Sequence, residues 1–336
     1  MCIFKELYLS AMSKTLTKTA SPAWTLPALP DSLRFAVGMG VPLLATVWVL
    51  QSRLVALPEG AWAWEIDYPF LLLVLLLSPV NWGLEAMKWA ELLPYGRMGR
   101  RWREVLYGTA WSLIGPFRLG AVVGRVGAVR KNERNHALRA FATSSVAQWW
   151  CTITATGIAL AALGMELLAL PVLAISAVTL GLYFGWSPVF WHSLRKTQLS
   201  GDWGLARRIP SVRRRRALSL SIARYLVMLA QFVLALQAFH HLARLSWVDQ
   251  MIQQSSGGAL TWGLTSLAPL PLLGDLGLRE AAALLALPAP TPADITAIIG
   301  ATLSLWIINL ILPALVGLVW QWQSVRNKER MANLPL

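Results

Sequence analysis

Charged residues are scarce. Asp, Glu, Lys and Arg make up 14% of the 336 residues, against 56% hydrophobic ones. Soluble domains average about 25% charged, so this balance excludes an ordinary water-facing surface and points to an integral membrane protein. Cysteine is nearly absent: Cys2 lies in a polar tail and Cys151 inside an apolar segment, which leaves neither a disulfide framework nor a Cys-rich metal centre. Histidine does not fill that gap. His240 and His241 are adjacent and face different sides of a helix, and His136 and His192 sit in basic flanks. No metal and no other cofactor is expected. The chain also lacks a G-x-x-x-x-G-K-[ST] phosphate loop and a G-x-S-x-G elbow, which disfavours ATP-driven pumping.

Acidic residues are outnumbered, 16 against 30 Lys and Arg, for a formal charge of +14. In a soluble chain this excess would suggest nucleic acid. Here the bases gather in short runs between apolar stretches, so no nucleic-acid partner is expected and the charge is a topology signal. The eighteen tryptophans suit the headgroup interface. The first thirty residues have no apolar core ahead of a small-residue cleavage site, so no removable signal peptide is expected, and Met12-Ser13-Lys14 reads as an equally good start.

Six stretches can cross about 30 Å of hydrocarbon: 34–52, 68–89, 137–163, 167–190, 217–239 and 294–322. Two more, 104–129 and 255–290, are interrupted by Gly, Pro and charge. The tail before residue 34 and the runs Arg97 to Arg103, Arg130 to Arg139, Arg195 to Arg216 and Arg326 to Arg330 hold nearly all the bases outside apolar segments, which makes them cytoplasmic. Segment 104–129 then has both ends inside, and 255–290 has both ends outside. Each reads as a re-entrant hairpin.

The expected fold is therefore an all-α integral membrane protein with six transmembrane helices and two oppositely oriented re-entrant hairpins in an inverted-topology repeat. Its parts are a cytoplasmic tail, 1–33; a first membrane half, 34–165; a second, 166–323; and a cytoplasmic tail, 324–336. Eight plain helices, with the hairpins as polar spans, are the alternative.

An ionisable side chain costs about 2.5–3.5 kcal/mol at the centre of an inserted helix, so those at depth are candidate functional groups. In Asn81-Trp82-Gly83-Leu84-Glu85-Ala86-Met87-Lys88-Trp89, helical spacing puts Asn81, Glu85, Lys88 and Trp89 on one stripe; Lys88 could equally snorkel to the interface. The first hairpin carries Gly115-Pro116-Phe117-Arg118-Leu119-Gly120, then Arg125. Arg118 and Arg125, seven apart, share a face if the segment resumes as helix, and two guanidiniums beside a broken-helix terminus suit phosphate. Positive-inside anchoring is their other reading. The second hairpin reads Gly274-Asp275-Leu276-Gly277-Leu278-Arg279-Glu280, three charges within six residues flanked by apolar sequence. As an external loop these would be unremarkable; buried, Arg279 needs Asp275, Glu280 or Glu85 as counter-charge. Arg224, Tyr225, Gln231 and Asn309 are lesser polar signals, and interface anchoring also accounts for the first two.

At these three motifs the chain resembles the lysylphosphatidylglycerol synthase transmembrane-region family, the lipid-flipping half of the multiple peptide resistance factor and its stand-alone relatives. The likeness covers about residues 35 to 325, and Gly274-Asp275-Leu276-Gly277-Leu278-Arg279-Glu280 is its specific part. One departure is Ala121, where relatives often place Glu. The resemblance implies a multi-pass protein of the bacterial plasma (inner) membrane with both termini cytoplasmic, moving a phospholipid or other anionic or zwitterionic lipid between leaflets. No soluble aminoacyl-transfer domain is present, so lysyl-lipid synthesis is not expected. Substrate-binding residues would be Arg118, Arg125, Arg279, Glu280, Asp275, Glu85, Asn81 and Lys88; a second copy of the chain is a further candidate partner. The competing class is a membrane-embedded polyprenyl-phosphate phosphatase or transferase, for which Ser255, Ser256 and Ser266 are the nearest nucleophiles. A scaffold holding anionic lipid through its Arg-rich 207–216 loop is a third.

Overall fold

The computed structural model describes residues 47–48, 51–52, 65–93, 96–113, 119–185, 209–267 and 275–332. Among these there is no strand. The helices are α1 (Tyr68–Leu92), α2 (Met98–Ser112), α3 (Leu119–Ala128), α4 (Arg134–Ala162), α5 (Glu166–Phe184), α6 (Ser211–Ala238), α7 (Trp247–Leu267), α8 (Asp275–Ala286), α9 (Pro292–Trp306) and α10 (Leu312–Ala332); a π-helical turn, Ile307–Ile311, joins the last two. Four helices are long and apolar enough to cross a membrane: α1, α5, α6 and the continuous Pro292–Ser324. This is the architecture of a multi-pass α-helical membrane protein. Helix α4 is long enough, but Gln148, Thr152, Thr154 and Thr156 leave its most apolar stretch less so than those of the other four. Of the expected span 34–52, only residues 47–48 and 51–52 fall within the described residues, and they are helical.

Helix directions follow from contacts at the two ends of the bundle. Asp67 N, just before α1, donates to Ala238 O at the end of α6 (2.9 Å), and Arg216 near the start of α6 lies 3.6 Å from Glu91 near the end of α1. The two helices are antiparallel neighbours. Helix α2 starts and α3 ends at the basic end, where Arg100 Nη2 is 4.0 Å from Glu133 Oε2. Helix α7 starts and α8 ends at the opposite end: Gln250 donates to Leu242 O (2.9 Å), and His241 Nε2 donates to Pro288 O (3.0 Å). Burial holds the His241 imidazole below its usual pKa, and so neutral. The start of α2 and the end of α3 thus lie at one end of the bundle and the start of α7 and the end of α8 at the other, and α3, at ten residues, is only about 15 Å long.

Two contacts are reciprocal along the chain: α2 lies on α10 and α7 on α4, while α1 and α6 form the most extensive contact. Outward faces carry large aliphatic side chains, as on α5, where Leu167 is 87% exposed. For a helix in hydrocarbon this is the favourable direction. At the basic end Glu104 is a buried clasp: it accepts from Trp89 Nε1 of α1 (2.8 Å), Arg101 Nη1 (2.7 Å) and Arg100 Nε (2.9 Å).

Helices α2 and α3 touch through glycine. A Cβ on Gly124 would come within 2.6 Å of Tyr107 O and 2.8 Å of Gly108 Cα, both backbone atoms that cannot turn away. Gly124→Leu is therefore expected to pry the pair apart. The check is thermal unfolding in detergent, where a loss of about 1–3 kcal/mol typical of overpacking, or failure to fold, is predicted; Gly127→Leu, with open space at its Cβ, should unfold like the parent.

Candidate functional site

The α1 stripe is the centre of the site. Asn81, Glu85 and Lys88 are 1%, 4% and 1% exposed, and Trp89 is fully buried, because α6 and α2 close over this face. Lys88 does not snorkel. Its Nζ turns inward to Glu85 Oε2, 2.8 Å away. Arg125 of α3 reaches Glu85 Oε1 at 2.6 Å, and Arg224 of α6 reaches Oε2 at 3.3 Å. One carboxylate therefore holds three cations drawn from three helices. Aromatic faces add to the cradle: the Arg125 guanidinium carbon lies 5.8 Å from the Trp89 ring centre and 5.7 Å from that of Phe141, and Arg224 lies 5.7 Å from that of Trp82.

Arg224 is tied further. Its Nε donates to Asn81 Oδ1 (2.9 Å) and its Nη1 to Gln148 Oε1 of α4 (3.2 Å). Asn309 sits in the π-helical turn, a device that re-aims a side chain out of helical register. It exchanges hydrogen bonds with Gln231 (3.1 and 3.2 Å) and accepts from Asn81 Nδ2 (3.4 Å). Ser78 Oγ, beside the helix-interior Pro79, donates to Ile308 O (3.2 Å), which fixes the π turn against α1.

These groups border a cavity of about 250 Å³. Its wall includes Arg125, Arg224 and Arg279, the polar Asn81, Gln148 and Asn309, and the aromatic Tyr225 and Trp262. Arg279 comes from α8, whose start is kinked: Gly277 has φ 87°, a left-handed conformation that favours glycine, and its N–H donates to Glu280 Oε2 at 2.6 Å. Glu280 is buried and caps its own helix, close enough to Arg279 to interact electrostatically. Asp275 is the first residue of α8. Arg118 lies outside the described residues.

The sequence pattern thus brings together Asn81, Glu85, Lys88, Arg125 and Arg279. Arg224, a lesser signal there, proves central, and Gln148 was not anticipated. A trace of Gln148 exists: with Ser144 and Thr152 it forms a polar row at four-residue spacing through α4. In charge the site is cationic. Three cations share one carboxylate, and a fourth base lines the same space. For hydrolytic chemistry the wall offers Ser112 and Ser266 but no imidazole. Among the described residues no group of His, Cys, Asp and Glu is placed to hold a metal ion. Compared with protein-family models, curated proteins and solved structures, the chain matches none.

Proposed function

We propose that the chain carries a phosphate-bearing lipid headgroup across the bilayer, as a flippase or lipid transporter. The observation that carries this reading is the three-to-one excess of cation over carboxylate around Glu85, beside a cavity to which the membrane-crossing helices α1, α6 and α9 each contribute wall residues. Such an excess is costly in hydrocarbon unless an anion completes it. A lipid phosphate, with oxygens to accept from guanidinium forks, is the anion a membrane supplies in quantity.

In this reading α4 and the 34–52 stretch complete six spans, and α2–α3 and α7–α8 are re-entrant hairpins mounted from the cytoplasmic and external sides. The reciprocal contacts of α2 with α10 and α7 with α4 support an inverted repeat, in which either half can rock against the other around a fixed site. Arg125, Arg279 and Glu280 serve as headgroup contacts. The basic end faces the cytoplasm of a bacterial plasma membrane, with both termini on that side.

Vesicles reconstituted with purified protein and fluorescent phosphatidylglycerol test the proposal. Reduction of accessible label from outside should quench the inner-leaflet pool in protein-containing vesicles and spare it in protein-free ones. Equal protection of the inner pool in both would contradict lipid transport.

A further inference from the structure

A second cavity, about 450 Å³ and almost wholly apolar, lies between α4, α6 and α7. Its wall includes Ala155 and Ile158 of α4, Ile222 and Leu226 of α6, and Ile252 of α7. Ile158 and Leu226 are 58% and 59% exposed, so the groove opens on the outward, lipid-facing side of the bundle. One residue belongs to both cavities. Tyr225 lines the cationic chamber and the apolar groove, is only 5% exposed, and packs edge-on against Trp262 of the chamber wall, ring centres 5.3 Å apart. Its hydroxyl is buried and finds no hydrogen-bond partner among the described residues. A buried phenol without a partner is unfavourable, and the usual resolution is a ligand atom or water that completes the bond.

We infer that this groove seats an acyl chain of the same lipid whose phosphate enters the cationic cavity, and that the Tyr225 hydroxyl donates to the ester carbonyl where headgroup and chain meet. The inference rests on the proposed lipid function and deepens it. The occupant is an ester-linked glycerophospholipid with its phosphate among Arg125, Arg224 and Arg279. Its first ester lies at Tyr225 and one chain lies against Ala155, Ile158 and Leu226. Three observations converge: the two cavities meet at a single side chain, that side chain is amphipathic with an unmet polar tip, and the apolar cavity is open on the side where bilayer lipid is the surrounding medium.

The test uses the full chain in phosphatidylcholine vesicles with phosphatidylglycerol bearing a photoactivatable diazirine in mid-chain, and peptide mapping of the adducts. Adducts concentrated on residues 151–162, 222–229 and 252–259 are expected. Ala155→Trp and Leu226→Trp, which fill the groove from two helices, should each lower them by about tenfold, as displacement of two buried methylenes would. Leu170→Trp on the exposed face of α5 should leave them unchanged. Tyr225→Phe should weaken labelling by the ester lipid and leave that by an ether-linked analogue as in wild type. Adducts spread over all outward faces, α5 included, with no loss in the groove-filling variants would overturn the inference, and equal effects of Tyr225→Phe on both lipids would overturn the hydroxyl's role. The two readings fail separately. Leaflet exchange with scattered adducts removes the groove alone, whereas groove adducts without exchange remove transport alone.

Discussion

Glu85→Gln is expected to lower the apparent unfolding temperature in detergent by about 10 °C, from a loss of roughly 3–5 kcal/mol for deleting one partner of a buried ionic cluster. The size follows from its position as the shared counter-charge. Without it Lys88, Arg125 and Arg224 are left within one buried cluster with no carboxylate among them. Because the harm comes from uncompensated charge, removing a cation should offset part of it. Glu85→Gln combined with Lys88→Met is expected to regain about half of the lost stability. A single variant that unfolds at the wild-type temperature, or a double variant worse than the single, would show that Glu85 does not neutralise the cluster.

The second large effect falls on transport. Arg224→Gln should slow leaflet exchange of phosphatidylglycerol by about 10- to 100-fold, the loss of one charge-assisted bond of roughly 1.5–3 kcal/mol to a phosphate oxygen. It should do so at little cost to folding, because Glu85 keeps Lys88 at 2.8 Å and Arg125 at 2.6 Å. Arg224→Lys restores charge but not the fork that reaches Asn81, Gln148 and Glu85, so only partial recovery is expected. Wild-type exchange in Arg224→Gln would remove this residue from the site.

The division between what was and was not legible in the sequence is a matter of distance along the chain. The stripe Asn81, Glu85, Lys88 and Trp89 follows from helical spacing alone, since residues three and four apart share a face. The runs of Arg and Lys give an expected side of the membrane for each helix-pair end without any knowledge of packing. Arg224 could not be weighed in the same way. Near the start of a span it has the sequence context of an interface anchor, and what makes it central is contact with Asn81, 143 positions earlier, and Gln148, 76 earlier. Lys88 shows the converse. Its place near a helix end allowed a snorkelling side chain, yet it turns inward to Glu85, three residues earlier on the same helix. The π-helical turn that aims Asn309 at Gln231 has its trace just beyond Ile307-Ile308-Asn309-Leu310-Ile311, in Pro313, which lacks the N–H that would bond to the Asn309 carbonyl.

Native mass spectrometry of the delipidated protein tests most directly whether the cationic cavity receives a lipid phosphate. Offered phosphatidylglycerol and diacylglycerol of identical chains, the wild type should retain the phospholipid alone, and Arg125→Gln/Arg224→Gln should lose it. Equal retention of both lipids, or undiminished phosphatidylglycerol binding by the double variant, would contradict the account.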